Sequence, residues 1–418
     1  MKPCYIPADI LLPDFNRVDA KRWAVVACDQ FTSEPAYWQE AEGLIGEAPS
    51  TLRMILPEVY LSETEERLPK IHATMRQYLS EVLVEHPNSM IYTERTQSDG
   101  SIRRGLVLAI DLETYDYRKG AEALIRATEA TVVERIPPRV AIRRGAPVEL
   151  PHVMLLIDDP KRTVIEPLSL SDGTPAYDTE LMLRGGAIKG AFLKPETVKA
   201  VSDALDALTT PEAMKERYGD GSLAPLLFAV GDGNHSLASA KAAYEEIKGA
   251  LGEEALTHPA RYALAEVVNL HDEALKFEPI YRVLFDVEPD DVLASLTAYL
   301  APLSGNAEPQ SVEWLTEKKN GTVDIPHPVR QLPVGTLQDF IDAYLKDHPK
   351  ASVDYIHGEE SVKTLVKREG AIGFLFAGMG KDQLFKTVIF DGALPRKTFS
   401  MGHAEDKRYY LECRRITK

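Results

Sequence analysis

The spacing of apolar residues along the chain follows two periods, and each predicts a different element. Between residues 64 and 86, apolar side chains recur three or four positions apart, which predicts an amphipathic helix. The stretch MIYTERTQSDGSIRRGLVLAIDL, residues 90–112, predicts two strands joined at Asp99 and Gly100, because this dipeptide suits a tight turn. The apolar runs VMLLI and LLFAV, at 153–157 and 226–230, predict two buried strands.

Helical and strand patterns continue in mixed order to the end of the chain. Helices are predicted at 119–128 and 196–208, and a hairpin is predicted about the Asn-Gly pair at 320 and 321. These patterns predict an α+β fold of mixed α/β type. We expect a main domain at 1–290 and a smaller C-terminal α/β unit at 291–418.

Composition narrows the class of protein. The 418 residues are 44% hydrophobic and 27% charged, as in a soluble globular protein. A formal net charge of -16 opposes binding to nucleic acid, which requires a surplus of basic residues. Three cysteines without CxxC spacing give no sign of a disulfide framework or structural zinc. No apolar window is long enough for a membrane span, so we expect a cytoplasmic protein without a membrane partner. The sequence leaves open whether the chain forms a homo-oligomer.

One short stretch, AVGDGNHSLASAK at 229–241, suits a phosphate. Gly231 and Gly233 permit unusual backbone angles, and Asn234 or Ser236 can cap the helix that follows. The N–H groups at such a helix start bind anions. The alternative is an ordinary capped turn between a strand and a helix, which is common in proteins.

Two side chains of this stretch can carry chemistry. His235 can donate a hydrogen bond to a phosphate or transfer a proton, since histidine titrates near neutral pH. Asp232 can hold a metal ion or orient the histidine. In the alternative interpretation the histidine is merely hydrogen-bonded to a neighbour.

Two further clusters contain cations. In IRATEAT, Arg126 and Glu129 are three residues apart and are predicted to share one helix face. They either form a surface ion pair, or Arg126 binds an anionic group while Glu129 acts as a metal ligand or a general base. Near the C-terminus, LPRKTFSMGH places Arg396 and Lys397 in a polar loop that suits contact with oxyanions. No GxSxG, HExxH or GxGxxG motif follows a strand as serine hydrolases, zincins or dinucleotide-binding enzymes require, and neither haem nor flavin is expected.

Taken in order, several blocks resemble the domain-of-unknown-function 1015 family. They are ACDQF, RRGLVLAIDLETY, IRATEAT, VGDGNHSLASAK, VVNLHDEALKFEPIYRVLF, DYIHG and LPRKTFSMGHAEDKRYYLE. The central motif is in turn similar to the Asp-Gly-His-His-Arg element of the ParB/sulfiredoxin superfamily, which includes free-serine kinases. The resemblance implies a ParB/sulfiredoxin-like core elaborated by extra helices and strands, with phosphate bound at a helix N-terminus.

The match to that element is incomplete. Asp232, Gly233 and His235 agree with it, whereas Asn234 stands where the first His is common and Ser236 stands where Arg is expected. Phosphate binding would therefore rely on backbone N–H groups and on an arginine from elsewhere, such as Arg126 or Arg396. The alternative is that the phosphotransfer role does not apply.

The resemblance implies an enzyme that binds ATP or ADP with Mg²⁺, or another phosphorylated small molecule. Its leading form is a small-molecule kinase acting on a hydroxylated metabolite such as a free amino acid. Asp232, His235 and Glu129 would be catalytic, with Asp232 and Glu129 also binding the metal. The phosphorylated ligand would contact Gly231, Gly233, Asn234, Ser236, Arg126, Arg396 and Lys397. A non-catalytic metabolite sensor and a phosphatase are the alternatives.

Overall fold

The computed structural model describes residues 3–129 and 136–418. The described chain forms two compact units. The first unit contains residues up to Ala127, residues 136–275 and Gly402–Lys418. The second unit contains Thr128, Glu129 and Lys276–Met401. The expected domains 1–290 and 291–418 stay a prediction, because a compact unit need not fold independently.

Helices and strands are interspersed along the described chain. The helices are α1 (Ala20–Trp23), α2 (Pro35–Ile45), α3 (Thr64–Glu81), α4 (Ile136–Arg143), α5 (Pro195–Ala207), α6 (Pro211–Tyr218), α7 (Asn234–Leu251), α8 (Pro289–Leu300), α9 (Pro333–Asp347), α10 (Glu359–Leu365) and α11 (Lys381–Phe390). The strands are β1 (Tyr5–Ile6), β2 (Ala8–Pro13), β3 (Val25–Val26), β4 (Leu83–Ser89), β5 (Ile91–Thr96), β6 (Ile102–Asp111), β7 (Tyr115–Asp116), β8 (Ile125–Ala127), β9 (Val148–Glu149), β10 (Met154–Ile157), β11 (Gly173–Glu180), β12 (Ala187–Leu193), β13 (Phe228–Asp232), β14 (Tyr262–Asn269), β15 (Phe277–Phe285), β16 (Gln310–Leu315), β17 (Asn320–Ile325), β18 (Ser352–His357), β19 (Ala371–Leu375), β20 (Phe399–Met401), β21 (Tyr409–Tyr410) and β22 (Cys413–Arg415). No helix in these described parts combines the length and apolar character that a membrane crossing requires.

A large mixed sheet organises the first unit. Its strand order is β11-β12-β5-β6-β14-β10-β13-β8-β7, and β1 pairs with β6. Along β6, Val107 and Ala109 enter one hydrophobic core, whereas Leu106 and Leu108 enter another. Successive side chains of a strand point to opposite faces, so both faces of this sheet are buried. The unbroken apolar run in β6 follows from that burial.

The C-terminal segment of the chain belongs to the first unit. Strand β22 pairs with β2 and β9, and β21 pairs with β3. The segment is tightly packed, since Tyr409, Tyr410 and Cys413 are buried. Residues near both ends of the sequence therefore complete the same unit.

The second unit has its own antiparallel sheet. The order is β17-β16-β19-β15-β18, and β20 pairs with β15. Val283 of β15 and Val362 of α10 lie in one of its hydrophobic clusters. Both units mix helices with predominantly antiparallel strands, which confirms the predicted mixed α/β class.

Several predicted elements are confirmed with shifted ends. The hairpin at 90–112 is formed by β5 and β6, and Gly100 in its turn has a φ of 81°. The helix predicted over 64–86 ends at Glu81, because the following residues form β4 and pair with β2. The second hairpin is formed by β16 and β17, but Asn320 and Gly321 lie inside β17 rather than in the turn.

The helix predicted at 119–128 is wrong. Ile125–Ala127 is strand β8, which pairs in parallel with β13 and β7. Ile125 and Ala127 are buried, and pairing within a large sheet outweighs the local helical preference of this stretch. Arg126 and Glu129 therefore do not share a helix face.

Candidate functional site

The motif at 231–236 forms a sharp turn from strand β13 into helix α7. Gly233 lies between them with a φ of 81°, in the left-handed region that favours glycine. A Cβ atom at this position would lie 3.1 Å from the Cα atom of Val153. Both the backbone angle and the close packing therefore call for glycine. The helix cap is Gly233, so the prediction that Asn234 or Ser236 caps the helix is wrong, and both lie within α7.

Helix α7 begins with a favourable end for an anion. It is 18 residues long, and its cap residue supplies no side-chain hydrogen bond to the first turn. The N-terminus of such a helix carries a partial positive charge. His235 and Ser236 lie in the first turn, where the hydroxyl of Ser239 donates to the His235 carbonyl at 2.7 Å. The preceding Gly231 packs against Leu156, whose Cγ atom would lie 2.8 Å from an added Cβ.

Asp232 is paired with a lysine from the C-terminal segment. The Nζ atom of Lys407 lies 3.2 Å from Oδ2 of Asp232, and both side chains are largely buried. The Gly233 N–H donates to Oδ1 of the same carboxylate at 3.0 Å. A cation is thus held at the start of α7, where sequence reasoning had expected an arginine.

A second acid–base pair, Asp29 and His152, lies close enough to Asp232 and Lys407 to interact with their charges. Nε2 of His152 lies 3.6 Å from Oδ2 of Asp29, and its Nδ1 lies 2.8 Å from the hydroxyl of Tyr410. That hydroxyl also accepts the N–H of Cys28 at 3.2 Å. Both ring nitrogens of His152 therefore have protein partners, which fixes the orientation of the ring.

The charges around His152 favour its protonated form. Burial alone would lower the pKa of His152, but the Asp29 carboxylate, its hydrogen bond and the charge of Asp232 together raise that pKa above its ordinary value. Burial would raise the pKa of Asp29, and the charge and hydrogen bond of His152 reverse this, so that the pKa of Asp29 is lowered. Two cations and two anions therefore alternate through Lys407, Asp232, His152 and Asp29.

A cavity with a volume of about 130 Å³ opens beside this group. Cys28, His152, Tyr410 and Ser236 contribute to its wall, together with Ser239 from the same face of α7. Most of its other lining residues are apolar. The lining comes from the segment before α3, from α3, from α4 and from residues 146–150, which include β9. The first turn of α7 therefore faces a space that a small ligand can enter.

Arg126 has a structural setting in β8. Its guanidinium donates to the carbonyls of Ala123, Ala224 and Pro225 at 2.8, 2.9 and 3.2 Å. Burial lowers the pKa of Arg126. The bonds to Ala224 and Pro225 connect β8 to the loop that precedes β13. The role of Arg126 as an anion clamp stays a prediction.

The other predicted residues belong to the second unit. Glu129 forms an isolated parallel bridge with Leu394. Arg396 lies 3.5 Å from Asp342, and the Arg396 and Lys397 cations lie over the ring of Tyr355, 5.4 and 4.9 Å from its centroid. The structure thus brings Asp232, His235 and the glycines together in the first unit and places these three residues in the second.

Within residues 3–129 and 136–418, no group of three or more His, Cys, Asp or Glu side chains could hold a metal ion. The sequence patterns also did not single out Asp29, His152, Tyr410 or Lys407. A partial signal was present, because Asp29 and Lys407 fall in two of the ordered blocks, ACDQF and LPRKTFSMGHAEDKRYYLE. Their proximity depends on β3 pairing with β21, which local patterns do not show.

Three solved structures are similar to this chain at a low level. A conserved hypothetical protein from Pyrococcus furiosus has 11% identity and a TM-score of 0.34, covering 71% of this chain and 90% of its own. A free serine kinase in complex with AMP has 11% identity and a TM-score of 0.36, with 74% and 91% covered. SbnI from Staphylococcus aureus, truncated at its C-terminus, has 9% identity and a TM-score of 0.36, with 74% and 87% covered. Likeness at this level assigns no activity, and the ParB/sulfiredoxin-like core stays a prediction.

The search of curated proteins gave no match. The model of the family described as "Protein of unknown function (DUF1015)" matches residues 13–415, nearly the whole chain. The family expected from the ordered blocks is therefore confirmed, and the chain belongs to the DUF1015 family.

Proposed function

We propose that the first unit binds the phosphate group of a small phosphorylated molecule, with ATP or ADP as the leading ligand. The observation that carries the proposal is the junction of β13 and α7. There the left-handed Gly233 starts an 18-residue helix beside the Lys407 cation and a cavity. Helix N-termini and lysines both stabilise phosphate charge.

The geometry supports phosphoryl transfer to a small hydroxylated acceptor. Lys407 would contact the transferring phosphate and free the Asp232 carboxylate from their ion pair. Asp232 would then accept the acceptor's proton while the acceptor oxygen bonds to the γ-phosphorus and the bond to the β-phosphate oxygen breaks, releasing ADP. His152 takes no part in the proton transfer in this proposal, because Asp29 and Tyr410 hold its ring. Its positive charge would stabilise the phosphate.

Magnesium fits this proposal only as an ion that arrives with the nucleotide. Mg²⁺ is commonly held by one or two carboxylates together with substrate phosphates. Asp232 would supply one such carboxylate, and the role of Glu129 as a metal ligand stays a prediction. When bound, the ion would screen the negative charge of the phosphates.

The test is to mix the protein with ATP, Mg²⁺ and a pool of amino acids and other small alcohols, and to follow phosphorus resonances. We expect ADP and one new phosphate ester, and we expect the Lys407→Met variant to lose the activity. A matched control is Lys189→Met, since Lys189 makes only an exposed ion pair with Asp178. If neither turnover nor binding of any nucleotide occurs, the kinase proposal is wrong.

The second candidate is a metabolite sensor that binds phosphate without transferring it. Ser236 favours it, because an arginine expected at this position would have bound the phosphate directly. A sensor would show a ligand-dependent rise in thermal stability with no consumption of the ligand. Release of inorganic phosphate would instead indicate a phosphatase.

A further inference from the structure

The lining of the cavity beside α7 limits the size and polarity of the organic group that can lie next to the phosphate. We infer that this cavity selects the acceptor of the phosphoryl group, an alcohol whose body is a compact and uncharged apolar group, together with the phosphate ester formed from it. This inference rests on the proposed phosphate site and names its substrate class. It disfavours free serine as the acceptor.

Apolar side chains form much of the cavity wall. Met54, Leu61, Met75 and Ile142 line the cavity, and Ser236 from the first turn of α7 lines the same space. Apolar cavities of about 150 Å³ lined by Leu, Ile and Phe bind benzene. The volume here, about 130 Å³, is of similar size. A phenyl ring or a short branched aliphatic chain would therefore fill it.

The charged residues of the cavity wall are already paired within the protein. Arg139 pairs with Glu58, and Arg143 pairs with Glu149. Glu149 also accepts from Arg414 at 2.8 Å and from the backbone of Leu264 at 2.9 Å. A zwitterion such as an amino acid would have to displace these pairs or bury its own charges unpaired, and both are costly.

The experiment measures the affinities of inorganic phosphate, O-phosphoserine, phenyl phosphate and benzyl alcohol by titration calorimetry. We expect phenyl phosphate to bind at least about tenfold more tightly than the other two phosphates, as one buried apolar group typically provides. Benzyl alcohol tests the cavity without any phosphate. Weaker or equal binding of phenyl phosphate would overturn the inference.

Two variants change the cavity in opposite directions. Ala146→Leu fills it and should reduce phenyl phosphate to the affinity of inorganic phosphate and abolish binding of benzyl alcohol. Ile142→Ala enlarges it and should shift the preference towards naphthyl phosphate, which keeps the inference testable if the filled variant does not fold. Ala207→Leu is the matched control, since Ala207 is exposed on α5 and should change nothing.

The outcomes separate the two proposals. Absence of inorganic phosphate binding would contradict the proposed function, whereas benzyl alcohol binding that Ala146→Leu abolishes would still support the apolar cavity. Phosphate binding with no preference for phenyl phosphate would support the proposed function and overturn the inference. An unchanged preference in both cavity variants would overturn it as well.

Discussion

At the scale of a single residue, the backbone conformation of Gly233 determines where helix α7 and the candidate phosphate site begin. Its positive φ lets the chain leave β13 and start α7 within a single residue, and its missing side chain lets the turn pack against Val153. A residue with a Cβ atom would destabilise the fold here, both through the left-handed backbone angle and through the close contact with Val153. The start of α7 is therefore sensitive to one methyl group.

Gly233→Ala should lower the free energy of unfolding by about 1–2 kcal/mol, the cost of a left-handed residue with a Cβ, and should weaken phosphate binding. Urea denaturation and phosphate titration measure the two effects. The matched control is Gly249→Ala in the same helix, where an added Cβ meets nothing within 4 Å. Since alanine favours a helix over glycine, the control should gain about 0.5–1 kcal/mol. Equal effects of the two substitutions would contradict the account of Gly233.

The raised pKa of His152 predicts the sign of one contribution to the pH dependence of stability. Because its pKa is raised in the folded state, the protonated ring stabilises the fold below its ordinary pKa of 6.5, and this contribution is lost as the pH rises through the folded value. The His152→Gln substitution should remove this loss of stability at high pH. The free energy of unfolding, measured on both sides of pH 6.5, checks the prediction.

His86 is the matched control for that titration. Burial lowers the pKa of His86, so its contribution is present at higher pH and is lost as the pH falls through the folded value. His86→Gln should therefore leave the loss of stability at high pH intact. If the His152→Gln variant retained the same loss, the ion pair with Asp29 would not be its cause.

At the scale of elements, strand β14 anchors the segment that carries Lys407. Glu266 of β14 is 1% exposed and lies 2.9 Å from Nη1 of Arg408 and 3.5 Å from Nη2 of Arg103. Arg408 also reaches Glu412 at 2.6 Å. Because Arg408 directly follows Lys407, this buried network fixes the position of the lysine beside Asp232.

Glu266→Ala should lower the free energy of unfolding by about 3–5 kcal/mol, because it leaves buried guanidinium groups without their carboxylate. Where the variant still folds, its phosphate affinity should also fall. The control Asp203→Ala breaks an exposed ion pair with Lys199 on α5 and should stay within about 0.5 kcal/mol of the parent. Urea titration measures both, and similar losses would show that burial of Glu266 does not matter.

Local patterns predicted elements well where they were long or bounded by a clear turn. The hairpin of β5 and β6 and the helices α5 and α7 agree with the sequence, because periodicity and glycine positions act locally. The helix predicted at 119–128 is wrong, because its residues Ile125–Ala127 form a strand that pairing with β13 and β7 stabilises. No local pattern contains that information.

At the scale of the whole molecule, the candidate site depends on long-range pairing. The turn at Gly233 was predictable from a short motif. Asp29, His152 and Lys407 come from segments far apart in the sequence, which the sheets bring together. This is why sequence analysis proposed Arg126 and Arg396 as the missing cations and did not single out Lys407.

Removal of Gly402–Lys418 should prevent cooperative unfolding of the first unit. The truncation deletes β21 and β22, and it removes the Leu411 carbonyl that accepts the indole N–H of Trp23 at 2.9 Å. Tryptophan fluorescence should shift towards the spectrum of exposed indole. Deletion of Lys418 alone breaks only an exposed pair with Glu254 and should leave the spectrum unchanged. A truncated chain with the parent melting temperature would contradict this prediction.

The order of segments along the chain also has a consequence for biosynthesis. The ribosome makes Lys276–Met401, the bulk of the second unit, before it makes the residues that complete the first. Until Gly402–Lys418 emerges, strands β2, β3 and β9 lack their C-terminal partners, and such open edges invite aggregation. Nascent chains should therefore depend on chaperones until Gly402–Lys418 has left the exit tunnel, and the proposed phosphate ligand should bind only after that point.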